Sequence, residues 1–193
     1  MDNETHNRYV VDQSALPDKY PTHAHDAAFW ESLGRAIATF GFLEEVLSKA
    51  IFAFTATRPY EEHEIQQAYL DWLPKLEHAL KDQLGNLIDT YGKSVRDNPH
   101  ATIEDLDFLL NELRKASRIR NVLCHGSWGL PNPSGSSVPF FVNRKMEIFD
   151  TAIDCQFLDQ VQASVAELAC LVISTVTHMG FQFPGSNGPG RPI

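Results

Sequence analysis

Between Asp26 and Phe54 the chain repeats apolar side chains at helical spacing: Phe29, Leu33, Ile37, Phe40, Leu47, Ile51 and Phe54 recur mostly three or four residues apart. Such a stripe lines one face of a long helix, which must bury that face against other elements. Glu44 interrupts it, standing between Phe40 and Leu47 where an apolar residue is expected. Gly34 and Gly41 weaken the helix slightly and are expected to let a neighbour approach closely. "TRPYEE" ends it, because Pro59 disfavours helix at Arg58. "YEEHE" (Tyr60–Glu64) reads as the charged start of a second helix, running from about Glu61 to Gly92 with a kink or break at Pro74.

Thr102 is a good N-cap, with Glu104 and Asp105 in the first turn that follows, so a third helix is expected from Ile103 to about His125, stopped by Gly126. Val138–Val142 and Lys145–Phe149, separated by Asn143 and Arg144, read as a β-hairpin within about 136–150. A last helix is expected from about Asp154 to Met179, with Phe157, Leu158, Val161, Val165, Leu168, Leu171, Val172 and Val176 inside. The expected fold is all-α: a four-to-five-helix up-down bundle over residues 24–180, with a small hairpin insertion before the last helix. Residues 1–23 are expected to form an extended arm, and the Pro/Gly-rich tail 181–193 to be disordered.

Composition narrows the function. With 43% hydrophobic and 21% charged residues, the 193-residue chain has the profile of a globular protein. No uninterrupted apolar run has the length of a membrane span, and "MDNETHNRYV" lacks the basic cap and apolar core of a secretory signal, so a cytoplasmic location without membrane partners is expected. The three cysteines, Cys124, Cys155 and Cys170, fit reduced thiols better than a disulfide framework. A formal net charge of −9 argues against non-specific coating of long nucleic acid but leaves room for a small cationic cleft.

Such a cleft is suggested by "SRIRNVLCHGSWG", Ser117–Gly129. At about 100° per residue, Leu106, Leu109, Leu110, Leu113, Ala116, Ser117, Leu123 and Cys124 share one broad face of the third helix, and Arg120 falls near its middle. Arg114, Arg118, Asn121 and His125 form a polar stripe beside it. A guanidinium facing inward needs a partner or a wet cleft, and Glu44, the inward acid of the first helix, is the expected partner. A structural salt bridge with a helix-terminal histidine accounts for the same residues, since histidine is favoured at a helix C-terminus whatever the function.

Arg120-Asn-Val-Leu-Cys-His125 places four residues between an arginine and a histidine, and Arg118 leaves six. This resembles the signature of the HEPN superfamily: all-helical bundles carrying arginine, four to six intervening residues, then histidine, with asparagine often directly after the arginine, as Asn121 is here. The resemblance implies either of two functions. Many members are metal-independent endoribonucleases, often toxins or defence components, that dimerise so that two motifs face one composite cleft. Others are non-catalytic modules for dimerisation or for binding nucleotides, RNA or a partner protein. On the first reading the partners are a second copy, RNA and a cognate antitoxin or partner protein, with no cofactor and no metal.

Cleavage of RNA without a metal needs a base for the 2′-hydroxyl, an acid for the 5′-oxygen and positive charge at phosphorus. Histidine, with an ordinary pKa of about 6.5, serves either proton role, and a two-fold dimer supplies the second imidazole that one chain lacks. His125 is therefore assigned to proton transfer and Arg120 to phosphate, with Arg118 as the alternative phosphate ligand. Asn121 is a candidate to orient the imidazole or touch phosphate. Ser127 and Trp128 are candidates to line the cleft, although packing explains Trp128 as well.

Other motifs carry less. His23-Ala-His25 with Asp26 has metal-ligand chemistry but no downstream cluster, so a solvated arm is expected. His63, His78 and His100 stand alone. Cys124 and His125, adjacent on a helix, point about 100° apart and cannot form a dyad. No glycine-rich phosphate loop or serine-nucleophile elbow is present.

Overall fold

The computed structural model describes residues 9–67, 69–70, 84–188 and 190–192, and within these the chain is predominantly helical. Helix α1 spans Ala27–Ala56, α2 Leu84–Arg96, α3 Leu106–His125 and α4 Cys155–Thr177. The all-α class expected from the stripes is therefore seen. The middle of the second expected helix, including Pro74 and His78, lies outside the described residues; residues 65–67 and 69–70 are helical, and its C-terminal part continues past Gly92 to Arg96.

Aspartates begin three of these helices. Asp26, Asp105 and Asp154 each accept a hydrogen bond from the backbone N–H three residues on, at 2.9, 3.3 and 2.8 Å. The third helix thus starts at Leu106 and not at Ile103, because Asp105 rather than Thr102 caps it.

The core forms where α1 meets α4, α2 and α3. The inner face of α1 includes Phe29, Leu33, Phe40, Leu47, Ile51 and Phe54 as expected, with Leu43 and Val46 bridging the interruption at Glu44; Ile37 is only half-buried. Two polar contacts seal one end. Tyr91 on α2 donates to Thr175 Oγ1 on α4 at 2.9 Å while its ring meets Phe54 edge-on. Asn98 donates to Phe54 O and Thr57 Oγ1, at 2.8 and 2.9 Å. Burial holds the Tyr91 hydroxyl well above its ordinary range, at about 12.

Neighbouring pairs fix the direction of α3. It runs antiparallel to α2, with Arg96–Asp107 near one end and Arg114–Asp89 further along, at 2.6 and 2.8 Å. It also runs antiparallel to α1, since Glu44 pairs with Arg120 while Phe29 packs on Trp128. The glycine expectation shifts: open space surrounds Gly34 and Gly41, and Gly92 is the one pressed against a neighbouring helix, with Leu110 where a Cβ would stand.

The segment between α3 and α4 is a folded loop with isolated antiparallel bridges in place of the expected hairpin strands. Ser127 pairs with Phe140, Ser137 with Ile153, and Val142 with Ile148. Pro139, with no N–H, prevents a ladder from propagating through the first segment. At the tip, the Asn143 side chain accepts the N–H groups of Lys145 and Glu147, so a side chain organises the turn.

Residues 9–23 are exposed, irregular backbone apart from a short 3₁₀ turn at Gln13–Ala15, until Trp30 Nε1 ties down Thr22 O. The tail is anchored, because Phe183 is 5% exposed and joins the core. By length and composition α4 is the one described helix able to cross a membrane; here Leu158, Val165, Ala169, Val172 and Val176 are buried within the protein core.

Candidate functional site

The C-terminal half of α3 presents its arginines in three different ways. Arg114 is paired with Asp89 on α2 at the surface. Arg120 crosses to Glu44 on α1 at 3.3 Å, with both side chains about three-quarters buried. The inward acid and inward arginine expected from helical phase therefore meet. Arg118 is exposed and has no acidic partner among the described residues.

Helix geometry explains the split. Arg118 and His125 are seven residues apart, so their directions differ by only about 20° and their positions by about 10 Å along the axis. Asn121 lies between them on the same outer face. Arg120 and His125 are five residues apart and diverge by about 140°. Within one chain Arg118, Asn121 and His125 share one surface, and Arg120 does not. All three are exposed and none is hydrogen-bonded through its side chain to another described residue. Cys124, expected on the inner face, is exposed.

Gly126 is required by close approach. It has φ −70°, so no left-handed turn is involved, but a Cβ there would stand 2.6 Å from Val122 O and 2.8 Å from Pro139 Cβ. Its N–H bonds Val122 O, ending α3 directly after His125. Ser127 follows, exposed, and exchanges two backbone bonds with Phe140. Trp128 is half-buried, its indole edge-on to Phe29 with ring centres 5.0 Å apart, so packing occupies much of the ring that is a candidate to line the cleft.

Sequence reading missed the residue behind that packing. His25, expected in a solvated arm, is 8% exposed. It stacks on Phe29 at 3.9 Å and meets Trp30 and Trp128 edge-on. Its Nε2 lies 3.2 Å from Gly129 O and 3.1 Å from Ser137 Oγ; a carbonyl only accepts, so Nε2 carries the hydrogen. One imidazole thus joins the start of α1 to the loop beyond His125. The signal available was its place immediately before the Asp26 cap and four residues before Phe29.

A groove of about 310 Å³ runs beside the polar stripe. Arg118, Ile119, Asn121 and Val122 of α3 form one wall, and Phe141, Asn143, Glu147, Ile148, Phe149 and Asp150 of the loop form the other. His125 and Arg120 do not line it. Among the described residues no cluster of three or more histidines, cysteines or carboxylates is arranged to hold a metal ion.

Compared with protein-family models, with curated proteins and with solved structures, the chain has no match.

Proposed function

We infer that the chain is a HEPN-like helical bundle, up-down in layout, that acts as a metal-independent endoribonuclease at a composite site formed by two copies. The observation that carries this reading is the exposed surface shared by Arg118, Asn121 and His125, with Arg118 the one arginine of α3 left without an acidic partner among the described residues. A guanidinium neutralised by a carboxylate is a poor phosphate ligand, and an unpaired one is a good one. The phosphate role therefore passes from Arg120 to Arg118. Arg120, held by Glu44, positions α3 against α1.

In the composite site His125 of one copy removes the 2′-hydroxyl proton as its oxygen attacks phosphorus. The second His125 protonates the departing 5′-oxygen, leaving a 2′,3′-cyclic phosphate and a free 5′-hydroxyl. Arg118 stabilises the charge that develops on the phosphorane. Asn121 stands one turn before His125, within reach of a bound phosphate oxygen. A toxin or defence role, controlled by an antitoxin, fits this chemistry, and a cytoplasmic location supplies the RNA.

The test is incubation of the purified protein with end-labelled single-stranded RNA in the presence of a chelator. Wild-type protein cuts; His125→Ala and Arg118→Ala do not; a strand lacking 2′-hydroxyls survives. RNA that stays intact with wild-type protein, or is cut equally by both variants, overturns the nuclease reading.

One observation favours a second reading, a binding module without turnover. His125 has no described hydrogen-bond partner to orient its ring, and Arg120 is already occupied by Glu44. On this reading RNA or a nucleotide is retained intact, with affinity that falls as salt rises.

A further inference from the structure

The groove between α3 and the loop before α4 sets Arg118 opposite side chains that the cleavage chemistry does not use. Arg118 lies on one wall, unpaired among the described residues even though Glu147 and Asp150 line the same groove. Asp150 has no described hydrogen-bond partner through its side chain. Glu147 Oε2 accepts from Asn143 Nδ2 at 2.6 Å, which fixes the side chain and leaves Oε1 available. Phe141, half-buried, and Ile148, 67% exposed, add apolar surface between the charged groups.

We propose that this groove is a base-recognition subsite for guanine in single-stranded RNA, with the nucleotide's phosphate on Arg118 and the base edge on Glu147 and Asp150. The proposal rests on the RNA-directed reading above and adds a specificity to it. The volume of about 310 Å³ is at the small end of ligand pockets and suits one nucleotide. Asp150, without a described side-chain partner, offers two acceptors side by side, and Glu147 Oε1 adds a further one. Guanine is the base that answers with two adjacent donors, N1–H and the N2 amine. Uracil has a single N–H flanked by carbonyl oxygens that repel a carboxylate. Adenine and cytosine each set an amine donor beside a ring acceptor. Phe141 and Ile148 supply the apolar contact that a base face needs. A basic peptide would also meet the carboxylates, but it would face Arg118.

Mononucleotides test this without cleavage, since they contain no phosphodiester. Calorimetric titration of the full chain with GMP, AMP, CMP and UMP should show GMP binding about tenfold more tightly than UMP, the ratio expected of one bidentate contact. Glu147→Gln, which keeps an acceptor for Asn143, and Asp150→Asn should each lower that ratio. Arg118→Ala should weaken GMP and leave guanosine unchanged. Equal binding of all four nucleotides, no binding of any, or tight binding of a lysine- and arginine-containing peptide in their place overturns the subsite. Failure of the nuclease reading is separately visible: selective GMP binding by a protein that never cuts RNA leaves the subsite standing, and cutting with no base preference removes it alone.

Discussion

The polar groups sealed inside the molecule and those along the outer face of α3 behave in opposite ways. His25, Tyr91 and Asn98 are buried and hydrogen-bonded, each joining segments distant in sequence. Arg118, Asn121 and His125 are exposed and make no described side-chain contact. Burial without a partner would be costly, so the first set had to be satisfied by the fold. The second set faces solvent and needs no partner, and the helix end favours His125 whatever its role. The lesson is clearest in the two histidines that flank the same loop. His25 holds that loop through Gly129 and Ser137, while His125, just before the loop begins, holds nothing.

Replacing His25 should have the largest effect. His25→Ala removes a ring packed among Phe29, Trp30 and Trp128 and strips two loop contacts, at a cost of about 2–4 kcal/mol. For a chain of this size that corresponds to a melting temperature lower by roughly 6–12 °C, measurable by calorimetry. A shift under about 2 °C would show that the loop is held without it.

Tyr91 sharpens the comparison through pH. Its folded-state pKa, raised to about 12 by burial, exceeds the ordinary value of 10.0. The unfolded chain therefore loses this proton first as pH rises. The contribution of Tyr91 is full below pH 10 and is lost progressively between there and about 12, by an amount on the order of 2 kcal/mol. Tyr91→Phe costs about 1 kcal/mol near neutrality, through the lost bond to Thr175, but should flatten that alkaline decline. Equal alkaline slopes for the two proteins, measured by denaturant titration, would count against a sealed hydroxyl.

Arg120 falls between the two groups. Arg120→Ala leaves Glu44, whose side chain is 29% exposed, without its cation, at a cost of about 1–2 kcal/mol. Glu44→Ala in addition should cost less than the sum of the two single changes, and strict additivity would mean the pair is not coupled.

How far the sequence disclosed all this depended on whether local pattern or distant contact decided the matter. The apolar periods of α1, α3 and α4 marked the helices because a one-sided helix has few alternatives. Helical phase also placed Glu44 and Arg120 inside, where opposite charges had reason to meet. Phase could not show which of the outer arginines would stay free: the roughly 140° between Arg120 and His125 was legible, but the acid that pairs with Arg114, Asp89, stands on another helix. The hairpin was legible only in outline: Val142 does pair with Ile148, but branched and aromatic residues do not say how far pairing extends, and Pro139 interrupts the first segment. His25 was missed for the converse reason. Its partners, Gly129 and Ser137, lie 104 and 112 residues away, so no local pattern announces a buried imidazole.

The smallest effect on stability belongs to His125, and that is where the comparison is most exposed. The side chain is exposed and makes no hydrogen bond or ion pair with another described residue, so His125→Ala should change unfolding free energy by no more than about 0.5 kcal/mol, as at any exposed site without a structural role. On the proposed nuclease reading the same change should nevertheless slow RNA cleavage at least about a hundredfold. Arg118→Ala should show the same dissociation of activity from stability. His25→Ala should show the reverse at a temperature where it stays folded, with a lower melting point and most of its cleavage retained. If His125→Ala lowered the melting temperature as far as His25→Ala, the imidazole would have a structural task, and its exposure would cease to point to chemistry.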